Sequence, residues 1–329
     1  MKEKELMESS NGEKGYRKIC GIPCNLWFVA GFVMLAFVPL PLDFIALANA
    51  GQSLIIPVGT GMTIVWNQLI SPVVLKEKLS RQDKIATFFI VVGIVMSTAF
   101  GTHASPVYPS STLISLFGET AFAILLVFLF ITTVVASIVI HVEKVRLSIK
   151  EELQENVKLL SLGYIPSVYG SLQIMVFKVV GELSKNTFEG IPMEKREIVN
   201  GTMITNSYIR KVNEFLSWEI YFFTICVAFL AVFQITYMNK GLSMYNAVKY
   251  LPVYNTMLLM TCVVVGSIFF KEYKTFHPVC FPIGCLLQAF GIRLLAWQKV
   301  QVEEERILET IDNIVTEDGG SEMTENTDR

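Results

Sequence analysis

Asp43 is the only formal charge between Lys18 and Lys76. A carboxylate alone in so long an apolar stretch is costly to bury unless water, a donor or a cation meets it. Other polar side chains recur inside apolar runs: Asn49, Gln52, Asn67 and Gln68, then Gln234, Asn239, Asn246 and Asn255, with Glu119, Glu182 and Glu219 near the ends of such runs. Carboxylate and amide oxygens without thiolates or imidazoles suit a hard, strongly hydrated cation, which takes oxygen ligands and keeps several of its waters. Asp43 is therefore the leading cation contact, and Asn49, Gln52, Asn67, Gln234, Asn246 and Asn255 are pathway candidates. The alternative for Asp43 is a span-end carboxylate at an interface, and for the amides hydrogen bonding between helices. Lys178 stands apart, because a fixed ammonium repels a cationic cargo. Glu182, one helical turn on, would neutralise it, as would snorkelling to the interface. If Lys178 and Lys249 both lined a cavity unpaired, an organic anion would be the better cargo.

Other chemistries lack their residues. His103, His141 and His277 are far apart with no HExxH spacing, and no GxxxxGK[ST] loop occurs, so neither a zinc hydrolase nor a nucleotide-driven pump is supported. The six cysteines lack the paired close spacing of a metal site and read as reduced packing residues, so no cofactor is expected. Lys and Arg total 27 against 29 Asp and Glu, which leaves no basic surface for nucleic acid.

The elements that must position these residues follow from hydropathy. Of 329 residues, 52% are hydrophobic and only 17% charged, well short of the charge a soluble domain of this size carries. A bilayer core of about 30 Å takes roughly 20 apolar residues as helix, the conformation that satisfies its own backbone in lipid. By that measure eight spans are expected, over 25–46, 50–75, 85–101, 119–141, 159–181, 216–237, 244–269 and 277–297. The fold class is thus all-α and polytopic. Lys and Arg precede span one and follow spans two and four, whereas residues 102–118 have none, which places both termini in the cytoplasm. Residues 1–24 and 142–158 are then cytoplasmic, 298–329 an acidic cytoplasmic tail, and 182–215 an extracytoplasmic loop bearing the glycosylation pattern Asn200-Gly201-Thr202. The chain belongs in a plasma membrane or endomembrane, with the lipid bilayer as its first partner; homo-oligomerisation is compatible with the sequence.

Shifting the chain by 195 residues superposes Leu47 on Leu242, Pro57 on Pro252, Val58 on Val253, Met62 on Met257 and Lys76-Glu77 on Lys271-Glu272. The two prolines interrupt or kink spans two and seven and can free carbonyls near a site. An offset of five spans inverts the second copy, so residues 25–141 and 159–297 form two oppositely oriented halves, the plan of many secondary transporters. Glu77 and Glu272, at the span ends, are expected to pair with neighbouring lysines.

These residues resemble the drug/metabolite transporter superfamily, and within it the NIPA-type magnesium transporters. In the first half the resemblance rests on Ala48-Asn49-Ala50-Gly51-Gln52-Ser53-Leu54-Ile55-Ile56-Pro57-Val58-Gly59 and Leu75-Lys76-Glu77-Lys78-Leu79. In the second it rests on Gly170-Ser171, Lys178, Thr187-Phe188-Glu189-Gly190, the run Gln234 to Leu242, and Asn246, Pro252, Tyr254 and Phe270-Lys271-Glu272-Tyr273. The resemblance implies an inverted-repeat bundle that lacks the tenth helix, and here also the first, moving Mg²⁺ or a similar divalent cation between its halves by alternating access or facilitated diffusion. It implies a secondary transporter or facilitator and no enzyme. Two departures bear on cargo: Pro39-Leu40 stands where the family has Gly-Glu, and Lys249 where it has Ile. An exchanger of organic anions or metabolites from the same superfamily is the alternative. A third reading is a membrane protein left without transport activity by the absent opening helix.

Overall fold

The computed structural model describes residues 18–19, 22–23, 34, 39–74, 80–103, 108–142, 151–199, 202–245 and 247–295. It divides into two units, 1–46 and 47–329. In the first unit Lys18–Ile19 (β1) pairs antiparallel with Ile22–Pro23 (β2). Helix α1 (Pro39–Asn49) begins there and ends in the second unit.

The second unit is built of α2 (Gln52–Val74), α3 (Arg81–Phe100), α4 (Ser110–Phe117), α5 (Thr120–His141), α6 (Glu151–Glu189), a hairpin, α7 (Trp218–Met244) and α8 (Ala247–Phe269). Helix α9 (Cys280–Leu295) follows. Among the described residues six helices, α2, α3, α5, α6, α7 and α8, are long and apolar enough to cross a membrane, and α9 is a shorter apolar helix. They coincide with expected spans two to eight; most of span one lies outside the described residues. This is an all-α polytopic membrane protein.

The lipid-facing surfaces explain the hydropathy. Helices α5 and α7 are strongly apolar, yet little of either is buried inside the protein. Phe130, Ile124 and Val127 on α5, and Ile225, Phe229 and Val232 on α7, stand exposed. In water such faces would be an aggregation hazard; in hydrocarbon they are solvated.

Helix α6 forms the centre and packs against α5, α7 and α8, while α8 also packs on α2 and α2 on α3. At about 1.5 Å per residue its 39 residues exceed the hydrocarbon thickness, so its ends project beyond it. Helices α3 and α9 meet through glycine: a Cβ on Gly93 would lie 2.7 Å from the Gly284 carbonyl, so only small residues permit this approach.

Three boundaries differ from the sequence expectation. Helix α3 starts at Arg81, ahead of 85, because Ser80 and Asp83 form a capping box: Ser80 Oγ accepts from the Gln82 N–H, and Asp83 accepts from the Ser80 N–H at 2.9 Å. Helix α6 starts at Glu151, inside the segment expected as a linker. Within 182–215, α6 continues to Glu189, Gly190 ends it at φ +80°, and Ile191–Val199 (β3) pairs antiparallel with Thr202–Arg210 (β4).

Candidate functional site

Helix α2 opens immediately after the turn Ala50-Gly51, leaving its first N–H groups without partners inside the helix. They are met from a distant part of the chain. The Glu272 carboxylate accepts from the Gln52 N–H at 2.8 Å through Oε1 and from the Ser53 N–H at 2.9 Å through Oε2, and the Ser53 hydroxyl also donates to Oε2. Glu272 thus caps α2 in trans, where a carboxylate also complements the positive end of the helix. It can do so because Lys271 adopts the left-handed conformation (φ 55°) and turns the chain sharply after α8 into the one-turn helix Glu272–Lys274.

Lys178 of α6 completes the network. Its Nζ lies 3.0 Å from Glu272 Oε1, donates to the Ala50 carbonyl at 3.0 Å and sits 4.2 Å from the centroid of the Phe270 ring. Lys178 is 1% exposed and Glu272 4%. Buried ions survive when every lone pair and proton is engaged, and here each oxygen of Glu272 takes two donors. The ion pair of Lys178 thus spans from α6 to the turn after α8, and Lys271 pairs instead with Glu119 on the exposed side of that turn. Pairing of Glu272 with a neighbouring lysine is corrected accordingly: the left-handed turn sends Glu272 inward and Lys271 outward.

A ring of hydroxyls secures the turn. Tyr108 Oη donates to the Phe270 carbonyl at 2.9 Å, and Thr102 Oγ1 to the Glu272 carbonyl at 3.3 Å. Burial pushes the Tyr108 hydroxyl up to about 12, and the charges of Glu272 and Glu182 reinforce the shift, so it remains a proton donor. Asn186, two turns beyond Lys178 on α6, donates to the Tyr108 carbonyl at 2.8 Å. Its own Oδ1 is buried without a partner among the described residues.

Deeper in the bundle the polar groups are amides. Gln52 Nε2 donates to the Cys262 carbonyl at 3.3 Å, and Gln288 Nε2 to the Pro57 carbonyl at 2.6 Å. Both glutamines are fully buried, and Oε1 of each has no partner among the described residues. Between α6, α7 and α8, Gln234 donates to Tyr254 Oη at 2.7 Å, and Ser167 Oγ to the Tyr254 carbonyl at 3.2 Å. Among the described residues no group of three or more His, Cys, Asp or Glu could hold a metal ion. A cation here would lean on amide and backbone oxygens with single carboxylates.

The structure therefore brings Gln52 and Lys178 together at Glu272, and puts Gln234 in a separate network. Asn255 is half-buried and makes no side-chain hydrogen bond among the described residues. Asn49, at the end of α1, is exposed, as are Lys249 on α8 and, within the first unit, Asp43. The Asn67 side chain, Asn246, Asn200 and Glu77 lie outside the described residues. Pro57 and Pro252 both sit inside their helices, each without the N–H a helix interior requires. Sequence reasoning missed Ser53, Tyr108, Asn186 and Gln288. Gln288 carries the signal that singled out Gln52, an amide inside an apolar run; the others lie near span ends, where polar residues are unremarked.

Comparison with known proteins adds to this geometry. The family model described as Magnesium transporter NIPA matches residues 2–200 and 198–300. The chain is 26% identical over 262 residues to the probable magnesium transporter NIPA8 of Arabidopsis thaliana, covering 78% of this chain and 54% of that protein. It is 27% identical over 250 residues to the probable magnesium transporter NIPA7 of the same plant, covering 76% of this chain and 66% of that one. To magnesium transporter NIPA4 of Homo sapiens it is 22% identical over 254 residues, covering 77% and 54%. The chain thus spans between about half and two thirds of the length of these relatives. No solved structure matches it.

Proposed function

The chain belongs to the magnesium transporter NIPA family, and from that premise we propose that it carries Mg²⁺, or a similar divalent cation, across a membrane as a secondary transporter or facilitator. The observation that carries this reading is the extent of the family match, which takes in α1 to α9 and the whole buried network. The chemistry agrees with it. The buried amides Gln52 on α2 and Gln288 on α9 each donate through Nε2 and keep an Oε1 oxygen, the kind of ligand a hard cation takes while retaining part of its water shell. Lys178, the residue that would have favoured an anion, is neutralised by Glu272, and Lys249 is exposed. Among the described residues, the buried cation of this network is already paired, which supports a cationic over an anionic cargo.

We further place both termini in the cytoplasm, so that the Glu272 end faces the outside or a lumen, with residues 25–141 and 159–297 as the inverted halves. Asp43 remains the first proposed cation contact, with Asn49, Gln52, Asn67, Gln234, Asn246 and Asn255 along the pathway. The test is Mg²⁺ uptake by the full-length chain reconstituted into sealed vesicles that hold a magnesium-sensitive dye. Uptake above protein-free vesicles is expected, and Asp43→Ala should reduce the rate about tenfold or more by removing the proposed first carboxylate. A folded, correctly inserted chain that admits no divalent cation overturns the proposal.

A further inference from the structure

Helix α2 carries a weak turn in its interior. Pro57 has no N–H to close the helical turn before it, and Gly59 and Gly61, the poorest helix formers after proline, follow at once. Thr63 donates its hydroxyl to the Gly59 carbonyl at 2.8 Å, a side-chain bond of the kind that bends helices. The two glycines are there for different reasons. A Cβ on Gly61 would collide with Gln288 Nε2 and, at 2.6 Å, with Ile94 Cδ1, so packing demands a glycine; a Cβ on Gly59 would meet nothing within 4 Å. A helix-interior glycine with room for a side chain contributes backbone freedom and nothing else. In the second copy of the repeat the matching positions hold Tyr254 and Thr256, and the Pro252 carbonyl accepts from Thr256 of its own helix. The weak turn belongs to α2 and not to its repeat partner α8.

The two sides of this turn are anchored differently. Before it, Gln52 and Ser53 are bound to Glu272, and Gln52 Nε2 to the Cys262 carbonyl of α8. After it, Ile64 and Val65 pack against an apolar cluster that includes Ile94 of α3 and Ile292 of α9. Gln288 of α9 reaches the turn itself, donating through Nε2 to the Pro57 carbonyl at 2.6 Å. It is fully buried, and its Oε1 has no partner among the described residues, so the amide is tied to α2 through Nε2. We propose that Gln288 is a positioning residue for transport: through the Pro57 carbonyl it latches α2 in the conformation seen here, and residues 57–61 are the hinge at which the Gln52 end of α2 swings relative to α3 and α9 once the latch opens. The inference rests on the transport reading above and gives it a moving part. Gln288 acts in this role through α2, whose first turn carries the pathway residue Gln52.

The experiment compares variants of the full-length chain by Mg²⁺ uptake into sealed vesicles, and by thermal unfolding and backbone hydrogen exchange over residues 58–63 in lipid nanodiscs. Gly59→Ala fills open space and stiffens the turn. It should leave the unfolding midpoint unchanged or higher and slow exchange at the turn, yet lower the maximal uptake rate at least threefold, with the Mg²⁺ concentration for half-maximal uptake within twofold of wild type. A glycine serving stability alone would not give a chain that is no less stable and slower. Gln288→Leu keeps the bulk and removes the donor; it should speed exchange at the turn at least tenfold and lower the maximal uptake rate at least fivefold. Gln288→Met serves if the leucine variant folds poorly. A lower midpoint or a wild-type uptake rate in Gly59→Ala, or exchange at the turn that is indifferent to loss of the Gln288 amide, overturns the hinge. Failure of the transport reading is separate: if the wild-type chain admits no Mg²⁺ yet the two variants move exchange in opposite directions, the hinge stands and the cargo is wrong.

Discussion

Helices α6 and α8 are joined at both ends, by opposite kinds of interaction. At the Tyr250 end, Leu159, Leu162, Ile165, Tyr250, Val253 and Tyr254 form an apolar cluster, and Tyr250 Oη donates to the Leu162 carbonyl at 3.1 Å. At the Glu272 end the contact is ionic, with Lys178 reaching across from α6 to a carboxylate that also caps α2. Apolar packing is non-directional and indifferent to ions, so the Tyr250 end does not depend on a charge pair. A buried ion pair instead depends on both partners, because removing either leaves an uncompensated charge. The two ends therefore answer to different perturbations, the Tyr250 end to changes of volume and the Glu272 end to loss of charge.

The largest expected effect separates the two. Glu272→Ala leaves Lys178 buried without its counter-charge and uncaps α2, and should cost about 3–5 kcal/mol of stability. Thermal unfolding in nanodiscs measures it; a shift no larger than that of an exposed substitution would mean that water already solvates the pair. The next effect belongs to the other end. A Cβ on Gly241 would lie 2.2 Å from the Tyr250 ring, so Gly241→Ala should destabilise by about 1–3 kcal/mol through overpacking. Mg²⁺ affinity should be unaltered in that variant. A change in affinity would break the distinction between the apolar end and the ionic end.

How far the sequence revealed this arrangement follows from the range of each interaction. Helices α2, α3 and α5 to α9 were legible because lipid demands long apolar runs, and nothing distant alters that requirement. Boundaries failed where a local device decided them, as with the Ser80 capping box at the start of α3 or the hairpin in residues 191–210. The network at Glu272 was half legible. Gln52 and Lys178 stood out as polar groups at membrane depth, but the partner that unites them is 220 residues from one and 94 from the other. A carboxylate just past a helix end reads as an interface residue until the left-handed Lys271 is seen to turn it inward. The repeated prolines show the same limit. They align in sequence, yet the Pro57 carbonyl accepts from Gln288 of another helix, while the Pro252 carbonyl accepts from Thr256 of its own, at 2.8 Å. Similar spacing therefore does not give the two copies similar partners.

The smallest effect sharpens the comparison through pH. Tyr108 belongs to the ionic end, and its hydroxyl is raised to about 12 by burial first and then by the charges of Glu272 and Glu182. A phenol whose pKa is higher in the folded chain than in the unfolded one contributes stability that is fully present below about 10 and is lost as pH rises through the folded value. Alkaline titration should therefore loosen the Glu272 end between about pH 10 and 12, while Mg²⁺ binding near neutrality is untouched. Tyr108→Phe removes the titrating group and its bond to the Phe270 carbonyl together, so it should lower stability slightly at pH 7 and flatten the alkaline loss. Circular dichroism melts at stepped pH measure both. An alkaline loss of equal size in the variant would place the sensitive group elsewhere and remove Tyr108 from the ring that holds the turn, leaving Thr102 and Asn186 to do so.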